Sequence, residues 1–384
     1  MKVVISPDSF KGSISAKDAA AAIARGVRQA SSEADIIEAP VADGGEGTVE
    51  ALVAATGGTF VDISAKGPLG RDVTARYGMI HDGATAVIEM AAASGLTLVP
   101  PDERDPMAAT TYGTGQLILD AASRGATDAI VGIGGSATVD GGAGMARALG
   151  VKFLDEDGRE LTGGGAILKR IRRIDMSGID KRAKTMRFTV AADVTNPLTG
   201  PSGAAAVYGP QKGATPEMVR ELDEGLSNLA AVIKRDIGMD VGTLAAAGAA
   251  GGLGAGLAAF LAAKMASGID IVLDAIDFDE KAAGADLVIT GEGSIDGQSA
   301  SGKAVSGVAM RAARAGAACI VLAGHVGEGA ERMLDGGVSA IFSIARGPAE
   351  QADMMRDAAA LLEWAGEQAV RAFTAGMSAG GGAL

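Results

Sequence analysis

Histidine is almost missing from this chain, with only His81 and His325 among 384 residues. That scarcity gives Ser–His–Asp nucleophilic chemistry little support and, with one cysteine, excludes Cys–His zinc sites. Cys319 lies in the apolar run A-C-I-V-L-A, cannot form an intrachain disulfide, and reads as a packed core thiol. Aromatic residues make up 3%, so the core has to come from Ala, Val, Ile and Leu. Basic residues are outnumbered, 34 Lys and Arg against 47 Asp and Glu, for a net charge of -13. This balance argues against a nucleic-acid partner or an anionic membrane surface, although a few local lysines can still make one site positive. The N-terminus, M-K-V-V-I-S-P-D-S-F, is too short an apolar run for a signal h-region. The Ala/Gly stretch Thr243–Ala263 has small side chains that suit tight helix packing better than lipid. The expectation is a soluble, cytoplasmic protein.

Glycine is what the chain has in plenty, 58 residues without a repeat. It points to many tight strand-to-helix turns and to close backbone approach to ligands. The chain is long enough for two domains. Lys2–Ser6 reads as a strand, Pro7–Ser13 (P-D-S-F-K-G-S) as its carboxyl-end loop, and Ala16–Ala30 as an amphipathic helix capped by Ser15 with Asp18 at N3. Ile36–Val41 is a second strand, followed by the loop A-D-G-G-E-G-T and a helix to about Ala55. Thr59–Ala65, Val73–Ile80 and Thr85–Met90 then look like antiparallel strands around turns at Gly67–Gly70 and Asp82–Gly83. Gln116–Ser123 continues a helix, and Ala129–Ile133, Val151–Asp157 and Arg187–Ala192 fill the middle region. Strand–helix alternation returns with Leu287–Thr290, a polar glycine-rich loop and a helix from Lys303 to Ala315. Cys319–Ala323, Ala340–Ser343, a long last helix Glu350–Thr374 and a frayed tail complete the chain.

Two strand–helix units at one end and three at the other give the flavodoxin-like count, with parallel strand order 2-1-3-4-5. The expected architecture is α/β with two domains. Residues 1–58 and 284–384 form a doubly wound parallel sheet, residues 59–283 an inserted mixed-sheet domain, and the active site lies in the cleft between them. In that strand order the loops Pro7–Ser13 and Gly291–Lys303 face each other, with Ala42–Thr48 alongside. Asp8, Lys11, Asp43, Glu46, Glu292, Asp296 and Lys303 then converge on one crevice.

Several motifs have both a chemical and a structural reading. Gly297–Lys303, G-Q-S-A-S-G-K, fits G-x-x-x-x-G-K but is followed by Ala304 where a P-loop needs Ser or Thr. It is a phosphate contact at a helix start or a structural glycine turn. Gly132–Ala137, G-I-G-G-S-A, fits a dinucleotide fingerprint with Asp155 downstream, yet the following G-G-A-G delays the helix. A backbone-lined phosphate or hydroxy-acid loop with Ser136, Thr138 and Asp140 suits it better. Asp193 at a strand end, with Asn196 three residues on, can bind Mg²⁺, accept a hydroxyl proton, or simply make an Asx turn before Pro197. Thr110–Gly115, T-T-Y-G-T-G, is a polar-ligand loop or a helix cap, and Lys66 and Arg71 flank a turn that can be a solvated hairpin end. Phosphoryl transfer needs carboxylates, phosphate-cradling amides and a lysine, and little covalent chemistry from the protein. Those are the parts this chain supplies.

The motifs P-D-S-F-K-G-S, A-D-G-G-E-G-T, G-I-G-G-S-A-T-V-D-G-G-A-G, A-D-V-T-N-P-L-T-G-P-S-G and I-T-G-E-G-x-x-D-x-Q-S-x-x-G-K stand in that order. Together they resemble the bacterial class I glycerate kinase family, from Met1 to about Ala345. The resemblance implies ATP- and Mg²⁺-dependent phosphorylation of D-glycerate, with 2-phosphoglycerate as product. It also implies two α/β domains, one of them flavodoxin-like.

The roles below follow from chemistry, not from the family. Asp193 is the general base or metal-positioning carboxylate, with Asp8 and Asp43 as competitors, and Lys11 stabilises the transferring phosphoryl group. Glu292 and Asp296 hold Mg²⁺ or bind the ribose. Gly134, Gly135, Ser136, Gly293, Ser294 and Lys303 contact ATP. Ser9, Arg71, Asn196 and Lys212 contact the substrate, with Lys212 or Arg71 on its carboxylate. The rivals are an NAD-dependent hydroxy-acid dehydrogenase and a non-catalytic sugar-acid binding protein; a homo-oligomer stays open.

Overall fold

The computed structural model describes residues 1–42, 47–192, 194–297 and 304–380, the last three as backbone only. In chain order the strands begin with β1 (Lys2–Ile5), β2 (Asp35–Glu38), β3 (Thr59–Lys66), β4 (Asp72–Ile80), β5 (Thr85–Glu89) and β6 (Asp128–Gly132). They continue with β7 (Lys152–Leu154), β8 (Arg173–Asp175), β9 (Arg187–Ala191), β10 (Lys264–Ala266), β11 (Leu287–Ile295), β12 (Ala318–Val326) and β13 (Ala340–Ser343). Contacts divide the chain into two units. One is Met1–Asp43, Ala54–Thr56 and Val272–Leu384; the other is Gly44–Val53 and Gly57–Ile271.

The first unit carries a parallel sheet in the order β13-β12-β11-β1-β2, the flavodoxin-like order read from the sequence. Val3, Val4 and Ile5 of β1 are fully buried, as a strand covered on both faces requires. Val3, Ile5, Leu287 and Ile289 pack with the helices Ala16–Ala30 and Ala358–Gly380. The helix Ala304–Arg314 packs on β11 and β12. The connection from β1 to β2 runs in one direction across the sheet and that from β11 to β12 in the other; with the right-handed crossover that parallel strands require, their helices fall on opposite faces. The reversal makes the junction of β1 and β11 the topological switch point.

Local sequence sets these elements. Ser15 Oγ accepts from Asp18 N at 3.1 Å and donates to its carboxylate at 2.7 Å, the expected cap of the first helix. That helix meets the last one through small residues: a Cβ on Gly26 would stand 1.9 Å from the Glu363 carbonyl oxygen. Ala and Gly at this crossing let two backbones approach where an aromatic-poor chain has no bulky side chains to spare. Cys319 is fully buried, and burial pushes its thiol up to about 12, the inert core thiol expected.

Two expectations for this unit need correction. The strand at Leu287 does not end at Thr290: β11 continues through Glu292 and Ser294 to Ile295, paired with β12 as far as Val326. Its glycines are the reason. A Cβ on Gly291 would lie 2.1 Å from Leu322 O, and one on Gly324 would lie 2.6 Å from Gly293 O. The long terminal helix is also broken at Asp357 into Gln351–Arg356 and Ala358–Gly380.

The second unit holds a six-stranded mixed sheet in the order β10-β9-β6-β5-β4-β3 and a small β7–β8 pair. β3, β4 and β5 are antiparallel, while β5, β6, β9 and β10 run parallel. The turn between β4 and β5 puts His81, Asp82 and Gly83 at positive φ, a conformation that Asp and Gly tolerate. The Ala/Gly segment forms the fully buried helix Ala249–Leu261, kinked at Ala250–Gly252. Gly251 sits where a Cβ would be 1.9 Å from Thr138 O, so this segment closes on the Thr138 loop. Among the described residues no helix is long and apolar enough to cross a membrane. The helix Thr48–Thr56 packs Val49 and Val53 against Gly78 of β4, so most of it joins this unit.

Candidate active site

At the switch point of the first sheet the chain holds a cavity of about 720 Å³. The ladder between β1 and β11 runs past the formal end of β1: Ser6 N donates to Ile289 O at 2.7 Å and Asp8 N to Gly291 O at 2.8 Å. Continuing the register of Ile5 opposite Ile289 therefore sets Asp8 beside Glu292. Asp8 is buried, and its Oδ1 accepts from Ser9 N at 2.6 Å. The next turn closes on itself, with Phe10 N donating to Ile14 O at 3.0 Å and Ile14 N to Phe10 O at 3.1 Å. Gly12, at φ +76°, makes that turn. The result is a fixed platform for Lys11.

Around the cavity Ser9 and Lys11 from the first loop meet Glu292, Gly293 and Ser294 from β11 and His325 from β12. Apolar side chains of Phe10, Ile344, Met354 and Met355 complete the lining. Residues nearly three hundred positions apart thus line one cavity. The sequence reading set Lys11 and Glu292 in one crevice with Asp8, Asp43, Glu46, Asp296 and Lys303; the apolar lining was not anticipated, because no chemical motif marks it. Asp296 follows β11, half-buried, four positions beyond Glu292. Among the described residues no group of three or more His, Cys, Asp or Glu could hold a metal ion. Asp43, Asp193 and Lys303 lie outside the described residues.

In the second unit the loop after β6 is organised by Asp140. Its buried carboxylate accepts from Thr111 N at 2.8 Å, Gly142 N at 3.0 Å and Gly144 N at 3.1 Å, and from the Thr111 hydroxyl. Burial raises its pKa, and these donors oppose the shift. Lys212 is buried beside it and donates to Ser136 Oγ at 2.7 Å and Thr138 O at 2.8 Å. Burial pushes this lysine down to about 7, against the pull of Asp140. Two donors of its ammonium are thus used inside the loop, one of them on the Ser136 hydroxyl.

Gly134 and Gly135 line a smaller cavity of about 270 Å³ with Glu50, Arg76 and Glu89. Glu89 was not anticipated: it accepts from Val49 N at 3.1 Å and caps the helix after Gly47, which has no side chain to do so. Burial raises its pKa. Asn196 donates to Ser202 O at 2.9 Å and accepts from the Tyr208 hydroxyl at 2.7 Å, holding its own loop. Arg71 is exposed and pairs with Glu103 at 2.7 Å, the solvated hairpin end.

Fold and site together define a doubly wound α/β protein with a ligand-sized, half-polar cavity at the switch point of a flavodoxin-like sheet. Comparison with known proteins is more specific. A model of the "Glycerate kinase family" matches residues 3–374. A glycerate kinase of Bacillus subtilis is 50% identical over 94% of this chain and 95% of its own length. The glycerate 2-kinase of Escherichia coli is 47% identical over 90% of each. A crystal structure from Salmonella typhimurium LT2, provisionally assigned as glycerate kinase 2, superposes with a TM-score of 0.91 at 47% identity, over 98% of this chain and 99% of that one. The chain belongs to the glycerate kinase family.

Proposed function

We propose that the protein is an ATP-dependent kinase that phosphorylates D-glycerate at its C2 hydroxyl. The observation that carries this reading is the meeting of Lys11 and Ser9 with Glu292, Gly293 and Ser294 around one cavity. The family and its relatives named glycerate kinase and glycerate 2-kinase support it. The glycerate hydroxyl oxygen forms the new bond to the γ-phosphorus, the bond to the β–γ bridging oxygen breaks, and ADP leaves. The hydroxyl proton passes to a carboxylate, for which Asp193 is our choice.

Lys11 balances the charge on the transferring phosphoryl oxygens, and Ser9, Ser294 and the Gly293 backbone bond to phosphate. A bound Mg²⁺ would supply charge neutralisation for the phosphates, and Asp8 and Glu292 are the carboxylates that would hold it. Such an ion takes one or two carboxylates plus phosphate oxygens and water, which suits Asp8 and Glu292 side by side. The test is incubation with D-glycerate, ATP and Mg²⁺ followed by phosphorus NMR of the product. A 2-phosphoglycerate signal with matching ADP is the expected result. A 3-phosphoglycerate signal overturns the regiochemistry, and no ADP, or reduction of NAD by D-glycerate, overturns the kinase reading.

A further inference from the structure

The cavity at the switch point is too large for a three-carbon acid alone. Its volume of about 720 Å³ lies in the range of sites for drug-sized ligands, about 300–1,000 Å³. Its lining is chemically mixed: Lys11, Ser9 and Ser294 can hold oxyanions, Glu292 adds a carboxylate, and Ile344, Met354 and Met355 offer apolar surface for a flat ring. Gln351 belongs to the same lining, with an amide that can both donate and accept. The apolar surface is built into the unit: Ser13 Oγ donates to Met355 O at 2.6 Å, and Met355 Cε lies 3.0 Å from where a Gly12 Cβ would stand. Thioether side chains adapt to planar rings and contact them favourably.

The other glycine-lined cavity fits a polyphosphate poorly. It is about 270 Å³, and Glu50 and Glu89 both line it. Its arginine, Arg76, already pairs with Asp62 at 2.8 Å.

Resting on the kinase reading, we propose that the whole nucleotide binds within the first unit: its base lies against Met354, Met355 and Ile344, and its phosphates point to Lys11 and Gly293–Ser294. The loop Gly134–Ser136 then serves as scaffold and not as the nucleotide cradle.

The experiment combines photolabelling of the wild-type protein by 8-azido-ATP with kinetics of Met354→Glu. Label on peptides spanning 344–358, protected by ADP, is the expected result. The variant is expected to raise KM for ATP about tenfold, the scale of one lost favourable contact, with KM for D-glycerate unchanged. Label confined to peptides of the second unit overturns the proposal, as does a variant that raises KM for D-glycerate alone or changes neither. Should Met354→Glu fail to fold, the exposed Gln351→Ala replaces it, with the same contrast between the two KM values. A wild-type protein labelled at 344–358 that transfers no phosphate to glycerate would reject the kinase reading and leave the nucleotide site standing.

Discussion

Lys212 Nζ donates to Ser136 Oγ at 2.7 Å across 76 positions of sequence, at a lysine only 1% exposed. Its folded pKa of about 7 lies below the ordinary value of 10.5. Between those values the unfolded chain binds more protons than the folded one, so this group makes stability rise with pH across that window and contributes no slope below it. At about 1.4 kcal/mol per unit, the full span is roughly 5 kcal/mol. Urea unfolding at pH 7, 8.5 and 10 should show the wild type gaining on Lys212→Met as pH rises. A constant difference between the two proteins would show that the lysine stays charged in the fold.

Gly26 offers a stability contrast inside the first unit. Replacing an exposed mid-helix glycine by alanine stabilises by about 1 kcal/mol, and Gly376, with open space around it, should follow that rule. At Gly26 the added methyl would meet Glu363 O at 1.9 Å and Glu367 N at 2.8 Å. Overpacking costs about 1–3 kcal/mol, so Gly26→Ala should lower Tm by a few degrees while Gly376→Ala raises it or leaves it unchanged. Thermal unfolding of both variants decides; equal shifts would mean that the two helices can move apart freely.

The parts of the fold legible in sequence were those with a strong period or a cap. The apolar strand Val3–Ile5, the Ser15 cap and the strand–helix count fixed the order of the first sheet, and with it the meeting of Lys11 and Glu292. Glycines misled at Gly291 and Gly293: they read as a loop, yet they continue β11, where a Cβ on Gly291 would meet Leu322 O and a Cβ on Gly324 of β12 would meet Gly293 O. Charge was an equally poor guide to place. Arg71 and Lys212 look alike as cations for a substrate carboxylate, but one pairs with Glu103 at the surface and the other is buried under Ser136. The partner of the helix Thr48–Thr56 was also hidden, since a small residue on a distant strand, Gly78, decides where Val49 and Val53 can pack.

Asp140 should matter through its hydrogen bonds, not its charge alone. Alanine there would strand the buried amides of Thr111, Gly142 and Gly144 together. Each orphaned buried donor costs about 1–3 kcal/mol, so Asp140→Ala should lose several kcal/mol or fail to fold. Asn keeps one acceptor oxygen at a similar size and should retain part of that stability. Chemical denaturation of the two variants tests the order; an alanine variant as stable as the asparagine one would refute the account.

Lys11 separates the catalytic reading from a structural one most cleanly. Its side chain is exposed, and the platform beneath it is held by Phe10–Ile14 backbone bonds and the Ser9 N–H to Asp8 Oδ1 bond. Interactions of an exposed ammonium contribute little to stability, so Lys11→Met should leave Tm close to the wild-type value. If the ammonium acts on the transferring phosphoryl group, its loss removes charge stabilisation at the transition state. Deleting one such preorganised donor typically lowers kcat by about 10²–10³-fold. The loss should fall mainly on kcat, because a group that bound only the ground state would raise KM and spare kcat. Steady-state kinetics with D-glycerate and ATP therefore discriminate: a large fall in kcat at unchanged Tm supports the assignment, and a near-normal kcat removes Lys11 from the chemistry.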